Sequence, residues 1–400
     1  MKPLKILHTD FHTGWGGQAA RVLMLGKELS RRGHQVVIAA PPGELTRRAR
    51  EAASVAEHRG LMVRDEFAFK APSHAVSFSA DWRRMRNLLR RGDFDIVDVH
   101  GSQDTWVTAM VRAMTGLPRC LLMTRHNTKR VRTGPANKYL YGRLVDHLII
   151  VDESVRSQYE RFLFDGTLTP ERISVVPSAY RSDLFHAGVD GSRVRNELAV
   201  APDAPVIGVA GRLVLDKGHI HLLDAAVDLV KLFPGLMIVF AGAGPNEPQL
   251  RRQVQERGLG ASVRFLGFRN DIAEVEAAFD VAVLPSVGCD ASSASIKEAM
   301  ALGVPVVASD IGGARNIIDD GVTGRVVPPG SPAELGAALR ALLDDRAGAR
   351  LMAERARQEV ARRFSLARLT EQTLEAYETA LTARDGTVRR SARVQAGRTA

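Results

Sequence analysis

Residues 286–313 read SVGCDASSASIKEAMALGVPVVASDIGG, which predicts a loop, a helix, a buried strand and a Gly-Gly turn in that order. Two acids, Asp290 and Glu298, stand on either side of seven residues rich in small side chains. Small side chains let a ligand approach the backbone, and a helix N-terminus offers free N–H groups and partial positive charge to an anion. An acid further along that helix can accept hydrogen bonds from ligand hydroxyls. The stretch therefore predicts a site for a molecule with both phosphates and sugar hydroxyls.

Short runs of the same buried-strand type alternate with amphipathic stretches along the chain. The predicted strands cover 4–9, 35–40, 96–100, 120–124, 147–151, 173–176, 206–210, 236–241, 263–266, 281–284 and 304–308. Runs that are apolar on both faces and separated by helical patterns indicate parallel strands in doubly wound α/β sheets. Two such Rossmann-like domains, facing each other, create a cleft at the carboxyl ends of both sheets, where ligands bind.

The length of 400 residues exceeds what one ordinary core accommodates and favours two domains. The broken hydrophobic pattern over 177–200 predicts the linker. We therefore expect an N-terminal domain over 1–180 and a C-terminal domain over 181–364. Helical patterns follow over 331–363 and 366–384, and the basic tail 385–400, rich in Gly, Ser and Thr, is typical of disorder.

The net charge of +10 is confined to the first half of the chain. Residues 1–180 hold 28 Lys or Arg and 18 Asp or Glu, whereas residues 181–400 hold 27 of each. A one-sided basic surface favours a polyanionic partner such as an anionic membrane, a phosphorylated acceptor or nucleic acid. Inherited arginine-rich composition is the alternative explanation. Low aromatic content, without basic–aromatic interleaving, argues against nucleic acid.

Cysteine content and hydropathy point to a cytoplasmic protein. Cys120 and Cys289 are too far apart in the sequence to staple a chain of this size, which favours a reducing compartment. No apolar run approaches the roughly 18–20 residues that span a bilayer. The basic amphipathic stretch 81–91 could rest on the inner face of an anionic membrane, and a solvated helix face explains it equally well.

Two cations follow the first predicted strand of the second domain. Arg212 and Lys217 lie in Gly-Arg-Leu-Val-Leu-Asp-Lys-Gly, on the loop that enters a helix. Together they can grip a diphosphate, the arginine as a fork and the lysine as a point charge. The alternative is an ordinary basic loop with a local pair to Asp216.

These pieces together resemble the retaining glycosyltransferases of family 4, which have the GT-B fold. The resemblance extends to about residue 382 and includes Glu-Ala-Met-Ala-Leu-Gly-Val-Pro-Val-Val-Ala-Ser, Ile-Gly-Gly and Asp-Gly-Val-Thr-Gly. It implies that Arg212 and Lys217 neutralise the donor diphosphate, Glu298 holds the ribose and Asp290 meets the transferred sugar. It also implies that the helix over 365–384 returns to the N-terminal domain.

The family pattern also predicts the remaining donor contacts. Its first acid is usually Glu followed by Gly-Phe-Gly, whereas this chain has Asp290 followed by Ala-Ser-Ser. That departure leaves the fold untouched and bears on the choice of sugar. The implied donor-binding residues are Gly16, Gly17, Arg212, Lys217, Ser292, Ser293, Ser295, Ile296 and Glu298.

Glycines and histidines mark the corresponding edge of the first domain. Gly16 and Gly17 follow the first strand and open a helix, where backbone can approach phosphate or sugar; a tight β–α turn is the alternative. His126 follows a strand end, and in the family such a histidine contacts the transferred sugar, so His126 joins Arg212, Lys217 and Asp290 as the predicted catalytic set. His100 is a weaker candidate on the acceptor side.

The predicted activity is transfer of a sugar from a nucleotide-diphosphate sugar to an acceptor hydroxyl, with retention. Cations and a helix N-terminus can stabilise the leaving diphosphate, so we expect no metal and no cofactor. A glycan, lipid-linked or phosphorylated acceptor is expected, in lipopolysaccharide, surface polysaccharide or glycolipid synthesis. The alternatives are a nucleotide-sugar epimerase of the same fold and a non-catalytic nucleotide-sugar-binding protein.

Overall fold

The computed structural model describes residues 2–70, 73–127, 130–288 and 293–396, with side chains described as far as residue 384. The chain divides into two compact units. The first comprises Met1–Ser178 together with Leu366–Ala400, and the second comprises Ala179–Ser365. The second unit is therefore an insertion, in sequence, into the first.

The first unit is built on a sheet of seven parallel strands in the order β3-β2-β1-β4-β5-β6-β7. The strands are β1 Lys5–Thr9, β2 Gln35–Ala39, β3 Leu61–Arg64, β4 Ile96–Val99, β5 Leu121–Arg125, β6 His147–Ile150 and β7 Ile173–Val175. Central strands such as β4 are buried along their whole length, as their β-branched sequence on both faces predicts.

The described residues of this unit include seven α-helices. They are α1 Gly17–Arg31, α2 Glu44–Ala53, α3 Ala75–Gly92, α4 Ser102–Thr115, α5 Pro135–Tyr139, α6 Glu160–Phe164 and, at the end of the chain, α15 Leu366–Ala396. Helix α15 packs against α1 and β6. Its helical backbone continues to Ala396, past residue 385, where the sequence predicts a disordered tail.

The second unit has a sheet of six parallel strands in the order β10-β9-β8-β11-β12-β13. The strands are β8 Val206–Ala210, β9 Met237–Ala241, β10 Val263–Gly267, β11 Val281–Leu284, β12 Val306–Ser309 and β13 Arg325–Val327. The helices of this unit are α7 Ser192–Glu197, α8 His219–Leu232, α9 Glu247–Glu256, α10 Ile272–Ala277, α11 Ala294–Leu302, α12 Ala314–Ile317, α13 Pro332–Asp344 and α14 Arg346–Arg363.

Alternating side chains of the second sheet feed two separate cores. Val206 packs in the cluster that includes α11, and the next residue, Ile207, packs in the cluster that includes α8 and α13. A strand whose successive side chains point to opposite faces must be apolar throughout when helices cover both faces. The predicted α/β fold with two doubly wound parallel sheets is therefore confirmed.

No helix in the described ranges is both long and apolar enough to cross a membrane.

Candidate functional site

Each sheet has one position where the strand order reverses, and the predicted site residues follow the strands at those positions. In the first unit the reversal lies between neighbouring strands β1 and β4. In the second it lies between β8 and β11. Ligands of doubly wound sheets bind outside the carboxyl ends of the strands at such a reversal, where the flanking loops diverge. The two positions define one candidate site in each unit.

The loop after β1 is held in shape by one buried carboxylate. Oδ1 of Asp10 accepts hydrogen bonds from the backbone N–H of His12, from the His12 ring and from the amide of Gln18. These bonds span the predicted glycine loop, which runs between the strand and the first turn of α1. The loop is therefore shaped by a side chain at the strand end.

Gly16 and Gly17 have no structural reason of their own to be glycine. Both are exposed, neither has a positive φ, and a Cβ added at either would meet no atom within 4 Å. A tight turn that required glycine would show a left-handed conformation or a close contact. The open space above these two residues therefore favours the predicted role, in which their bare backbone contacts a ligand, over the tight turn.

His126 and His100 come together with a third histidine, His8, which no sequence motif indicates. Nδ1 of His100 lies 2.9 Å from Nε2 of His126, and Nε2 of His100 lies 2.9 Å from Nδ1 of His8. His126 is partly exposed, whereas the side chains of His8 and His100 are fully buried. This burial does not favour the acceptor contact predicted for His100. The available signal for His8 was a polar residue in a strand that is otherwise apolar.

Asp98 of β4 lies beside the two buried imidazoles. Its Oδ1 accepts a hydrogen bond from Thr124 and its Oδ2 accepts one from the hydroxyl of Tyr377 on α15, at 2.8 and 2.9 Å. Burial raises the pKa of Asp98, and the neighbouring His8 opposes that shift. Residues from β1, β4, β5 and α15 thus share one buried polar network.

Part of this network has the spacing of a metal site. Ligand atoms of His8, Asp98 and His100 all lie within 4.8 Å of one another. The two imidazoles are hydrogen-bonded to each other, however, and the buried guanidinium of Arg21 acts electrostatically on Asp98. The positive charge of Arg21 disfavours a second cation at this carboxylate, so we interpret the cluster as a hydrogen-bonded network.

A second buried acid supports the same edge of the sheet. Oδ2 of Asp104 accepts hydrogen bonds from Thr9 and from the backbone N–H groups of His100 and Gly101. Burial, together with the nearby Asp10, raises the pKa of Asp104 to about 7. Oδ2 of Asp10 and Oδ1 of Asp104 are buried without a hydrogen-bond partner among the described residues.

In the second unit, Arg212 lies two residues after the end of β8 and is exposed. Its side chain makes no hydrogen bond or ion pair with another described residue. Lys217 ends the short helical turn Leu215–Lys217 and is partly buried. The predicted local pair to Asp216 is not seen for Arg212, so its charge stays available to an anion.

Backbone contacts join the Arg212–Lys217 loop to the loop after β11. The carbonyl oxygen of Asp216 accepts hydrogen bonds from the N–H groups of Val287 and Gly288, at 2.8 and 3.1 Å. Gly218 has a φ of 63°, and a Cβ there would collide with the carbonyl oxygen of Pro285. Glycine at position 218 is therefore required for the two loops to meet.

Helix α11 places the remaining predicted donor residues. Ser293, at its N-cap, is buried in a left-handed conformation with a φ of 30°, and Ser295 is partly exposed. The side chain of Ile296 is buried in the core, which leaves only its backbone for a ligand. Asp290 and Ser292 lie outside the described residues.

Glu298, one turn beyond Ser295 on α11, is held by an arginine that the sequence did not reveal. Nε and one terminal nitrogen of Arg181 donate to Oε1 of Glu298, at 3.1 and 3.0 Å. Burial, and then the charge of Glu298, raises the pKa of the neighbouring Glu276 well above its usual value. Because the buried Glu276 keeps its proton, it carries no charge and does not compete with Glu298 for Arg181. No local pattern links residues 181 and 298.

Comparison with known proteins finds glycosyltransferases along most of the chain. The family model for glycosyl transferases group 1 matches residues 191–359, and the model for glycosyltransferase family 4 matches residues 15–183. A D-inositol 3-phosphate glycosyltransferase of Nocardia farcinica is 30% identical, and the alignment covers 92% of this chain and 85% of that protein. A phosphatidyl-myo-inositol mannosyltransferase of Mycobacterium leprae is 28% identical, with coverage of 92% and 94%.

Solved structures show the same fold. A glycosyltransferase from Rickettsia africae superposes with a TM-score of 0.82 at 18% identity, covering 95% of this chain and 99% of the other. HepE from Anabaena, crystallised with UDP, superposes with a TM-score of 0.78 at 22% identity, covering 94% of this chain and 100% of that one. The fold is GT-B and the protein is a glycosyltransferase. Within that class, the chain belongs to glycosyltransferase family 4.

Proposed function

We propose that this enzyme transfers a sugar from a nucleotide-diphosphate sugar to an acceptor hydroxyl, with retention at the anomeric carbon. The observation that carries the proposal is Arg212. It is an exposed cation without a partner among the described side chains, at the end of β8 beside the strand-order reversal of the second sheet. A guanidinium at that place can form paired hydrogen bonds to phosphate oxygens.

Leaving-group stabilisation is the role that we assign to Arg212 and Lys217. Negative charge grows on the diphosphate as the bond from the anomeric carbon to the phosphate oxygen breaks. Backbone hydrogen bonds tie the loop that carries these two cations to its neighbour, so the loop itself needs little reorganisation to meet that charge. The N-terminus of α11 adds its partial positive charge.

Donor ribose is the ligand that we assign to Glu298. Arg181 occupies its Oε1, so the second carboxylate oxygen stays available to accept from ribose hydroxyls. UDP and UDP-glucose are bound by the structurally similar Anabaena HepE, which supports a uridine nucleotide as the first donor class to test.

The sugar itself is the ligand that we assign to His126, the Gly16–Gly17 backbone and Asp290. In a front-face reaction the acceptor oxygen bonds to the anomeric carbon as the phosphate oxygen departs, and that phosphate oxygen takes the acceptor proton. No separate base is needed for this balance. Asp290 holds its role by family resemblance alone.

An anionic acceptor, such as a phosphorylated polyol or a lipid-linked glycan, suits the charge of the first 180 residues. Two similar proteins are named for D-inositol 3-phosphate and phosphatidyl-myo-inositol. These names support a role for this enzyme in glycolipid or surface-glycan synthesis. On α3, Arg83, Arg90 and Arg91 are exposed, so this helix offers cations to an anionic membrane that carries such an acceptor.

Arg212→Ala tests the diphosphate assignment. We expect kcat to fall by about two orders of magnitude or more, the scale for the loss of one preorganised charge-stabilising group. Because Arg212 is exposed and unpaired among described side chains, the fold should be unaffected. The measurement is steady-state transfer from UDP-sugars, with products identified by mass spectrometry.

Lys231→Ala is the matched control, because Lys231 is an exposed cation of the same unit, on α8. Near-normal turnover of the Arg212 variant would overturn the assignment. Conversion of donor incubated without acceptor, as fast as with it, would instead favour the epimerase.

Metal removal tests how the leaving group is stabilised. Since Arg212 and Lys217 supply the positive charge, transfer should continue at an undiminished rate in EDTA, after the enzyme has been stripped of divalent ions. Initial rates with and without added Mg²⁺ or Mn²⁺ provide the measurement. Strict dependence on an added divalent ion would contradict a leaving group held by these two cations.

A further inference from the structure

Three histidines of the first unit form a row that runs from the sheet interior to the site. His8 lies in β1, His100 follows β4 and His126 follows β5. The two contacts are ring nitrogen to ring nitrogen, each 2.9 Å. Exposure increases along the row, since His8 and His100 are fully buried and His126 is partly exposed. The row connects the predicted sugar contact to an interior end at His8.

All three rings are neutral in the folded protein. Burial, with help from His100, lowers the pKa of His8 to about 3, and burial lowers that of His100 to about 3. Burial and then the neighbouring His100 lower the pKa of His126 well below its usual value. A neutral imidazole has one N–H and one bare nitrogen. Each contact therefore pairs one donor with one acceptor, and the protons of the row must all be ordered in the same direction.

Only two arrangements, or orders, of the ring protons satisfy both contacts, and they differ in the nitrogens that carry protons at the two ends of the row. In the first order, every ring carries its proton on Nδ1. In the second, every ring carries it on Nε2, so that His8 exposes an N–H at the buried end and His126 presents a bare Nδ1 at the site. The Nδ1 atom of His126 makes no hydrogen bond with a described residue, so either state is open to a ligand.

The interior end decides between the two orders. Nε2 of His8 is buried and has no hydrogen-bond partner among the described residues. An N–H without an acceptor is rarer in protein interiors than an acceptor without a donor. Oδ2 of Asp98 lies 3.9 Å from Nδ1 of His8 and 3.8 Å from Nε2 of His100, on the side of their contact. Asp98 is thus equally near both nitrogens and stabilises the proton of their contact without choosing the ring that carries it. The choice follows from the buried Nε2 of His8, which is better left bare than protonated, so the proton lies on Nδ1 of His8.

We propose that His8 and His100 are positioning residues that hold His126 as the tautomer with its proton on Nδ1, making it a hydrogen-bond donor to the transferred sugar. The sugar contact rests on the proposed function, whereas the tautomer does not. The Nδ1–H group of His126 needs an oxygen of the sugar to accept its hydrogen bond. Sugars that lack the facing hydroxyl leave the N–H unpaired and are selected against.

The tautomer is measured directly in the full-length protein. Histidine labelled with ¹⁵N gives two-bond ¹H–¹⁵N correlations that distinguish Nδ1–H from Nε2–H, and His126→Gln assigns the signals. We expect His126 in the wild-type protein to show the Nδ1–H pattern near neutral pH. A predominant Nε2–H pattern at His126 would overturn the inference.

Two substitutions at His8 separate positioning from folding. His8→Asn places an amide donor where Nδ1–H stood, beside Asp98, and should keep His126 as Nδ1–H. His8→Leu removes that donor and should allow the Nε2–H form of His126 to appear. His58→Asn is the control, because His58 is buried in the same unit and makes no hydrogen bond to the row. An unchanged His126 tautomer in His8→Leu would contradict the proposal.

Kinetics give a second readout. His8→Leu should lower kcat by about tenfold or more, as the loss of tautomer control does in other enzymes, with a smaller change in the donor KM. His8→Asn should recover most of that loss. If kcat falls equally in both variants while His126 keeps its wild-type tautomer, His8 has only a structural role. If no sugar is transferred by any variant, the proposed function fails, and the spectra still decide the tautomer.

Discussion

Single polar residues inside apolar strands form the buried hydrogen bonds at the carboxyl edge of the first sheet. Asp98 interrupts Ile-Val-Asp-Val, and His8 interrupts Ile-Leu-His-Thr, yet both are fully buried. Burying such groups is tolerated only where hydrogen bonds replace water. Thr124 and Tyr377 meet Asp98 in this way, and His100 meets His8. A polar residue in a strand with two buried faces therefore indicates a partner elsewhere in the sheet.

Asp104 yields a prediction at the level of one residue. Its pKa, raised to about 7 by burial and Asp10, means that the folded chain keeps a proton that the unfolded chain releases near pH 4. This contribution to stability is present below pH 4 and is lost as pH rises to about 7. Asp104→Asn lacks the titration, keeps an acceptor for Thr9 and should stabilise the first unit by about 2–4 kcal/mol at pH 8, with the gain shrinking toward pH 4.

Urea unfolding followed by tryptophan fluorescence measures this difference, because Trp15, Trp82 and Trp106 are the three tryptophans of the chain and all belong to the first unit. Asp81→Asn is the matched control. That buried carboxylate accepts from the N–H groups of Ala68 and Phe69, so its loss should destabilise. A gain from Asp104→Asn that is equal at pH 4 and pH 8 would contradict the assignment.

The sequence was sufficient to locate residues whose role follows from neighbours in the chain. Arg212 follows a strand, and Glu298 lies on a helix behind a run of small residues, so local pattern places both. Arg181 and His8 act through partners 117 and 92 residues away. No periodicity carries information about such pairs, and they became visible only in three dimensions.

At the scale of elements, long buried strands were predictable and edge strands were not. Eleven apolar runs predicted strands, and each has a counterpart in the structure. Strands β3 and β13 were missed. Only Leu61 of the four residues of β3 is buried, and β13 has three residues, so neither presents a sustained pattern. The predicted helical stretch over 331–363 is two helices, α13 and α14, which meet at Asp345.

Helix α15 is attached to the first sheet by one buried hydrogen bond that can be tested. The hydroxyl of Tyr377 donates to Asp98 at 2.9 Å, and the tyrosine is fully buried. Tyr377→Phe leaves that carboxylate with one donor fewer and should destabilise the first unit by about 1–3 kcal/mol. The measurement is the urea midpoint from tryptophan fluorescence.

Tyr139→Phe provides the comparison, because Tyr139 is 53% exposed in the same unit and should change stability little. An effect of Tyr377→Phe no larger than that of Tyr139→Phe would show that the contact contributes nothing to the attachment of α15.

For the whole molecule, charge is distributed unevenly along the chain. All of the net charge of +10 falls within residues 1–180, and the remaining residues are balanced. The GT-B fold thus combines a neutral segment carrying the predicted donor residues with a strongly basic segment carrying the loops predicted for sugar and acceptor. Electrostatic attraction of this kind raises the local concentration of an anionic ligand and weakens as salt screens it.

Salt dependence tests whether the basic segment recruits the acceptor. Raising KCl from about 0.05 M to 0.5 M shortens the screening length to a few ångströms, so the KM for a phosphorylated or anionic acceptor should rise by at least about threefold. The dephosphorylated form of the same acceptor is the control and should respond much less. The same salt response for both forms would mean that the basic segment plays no part in acceptor capture.

The insertion of the second unit into the first has a consequence for biosynthesis. A ribosome making this chain releases residues 1–178 first, then all of the second unit, and only at the end α15 with Tyr377. Until that helix emerges, Asp98 of the nascent first unit lacks the hydrogen bond from Tyr377, and α1 lacks the packing of α15. The second unit has its full sequence before the first does, which reverses the usual order in which the N-terminal domain is completed first. Chains that terminate before α15 therefore contain the complete sequence of the second unit and an unfinished first unit that carries the histidine row.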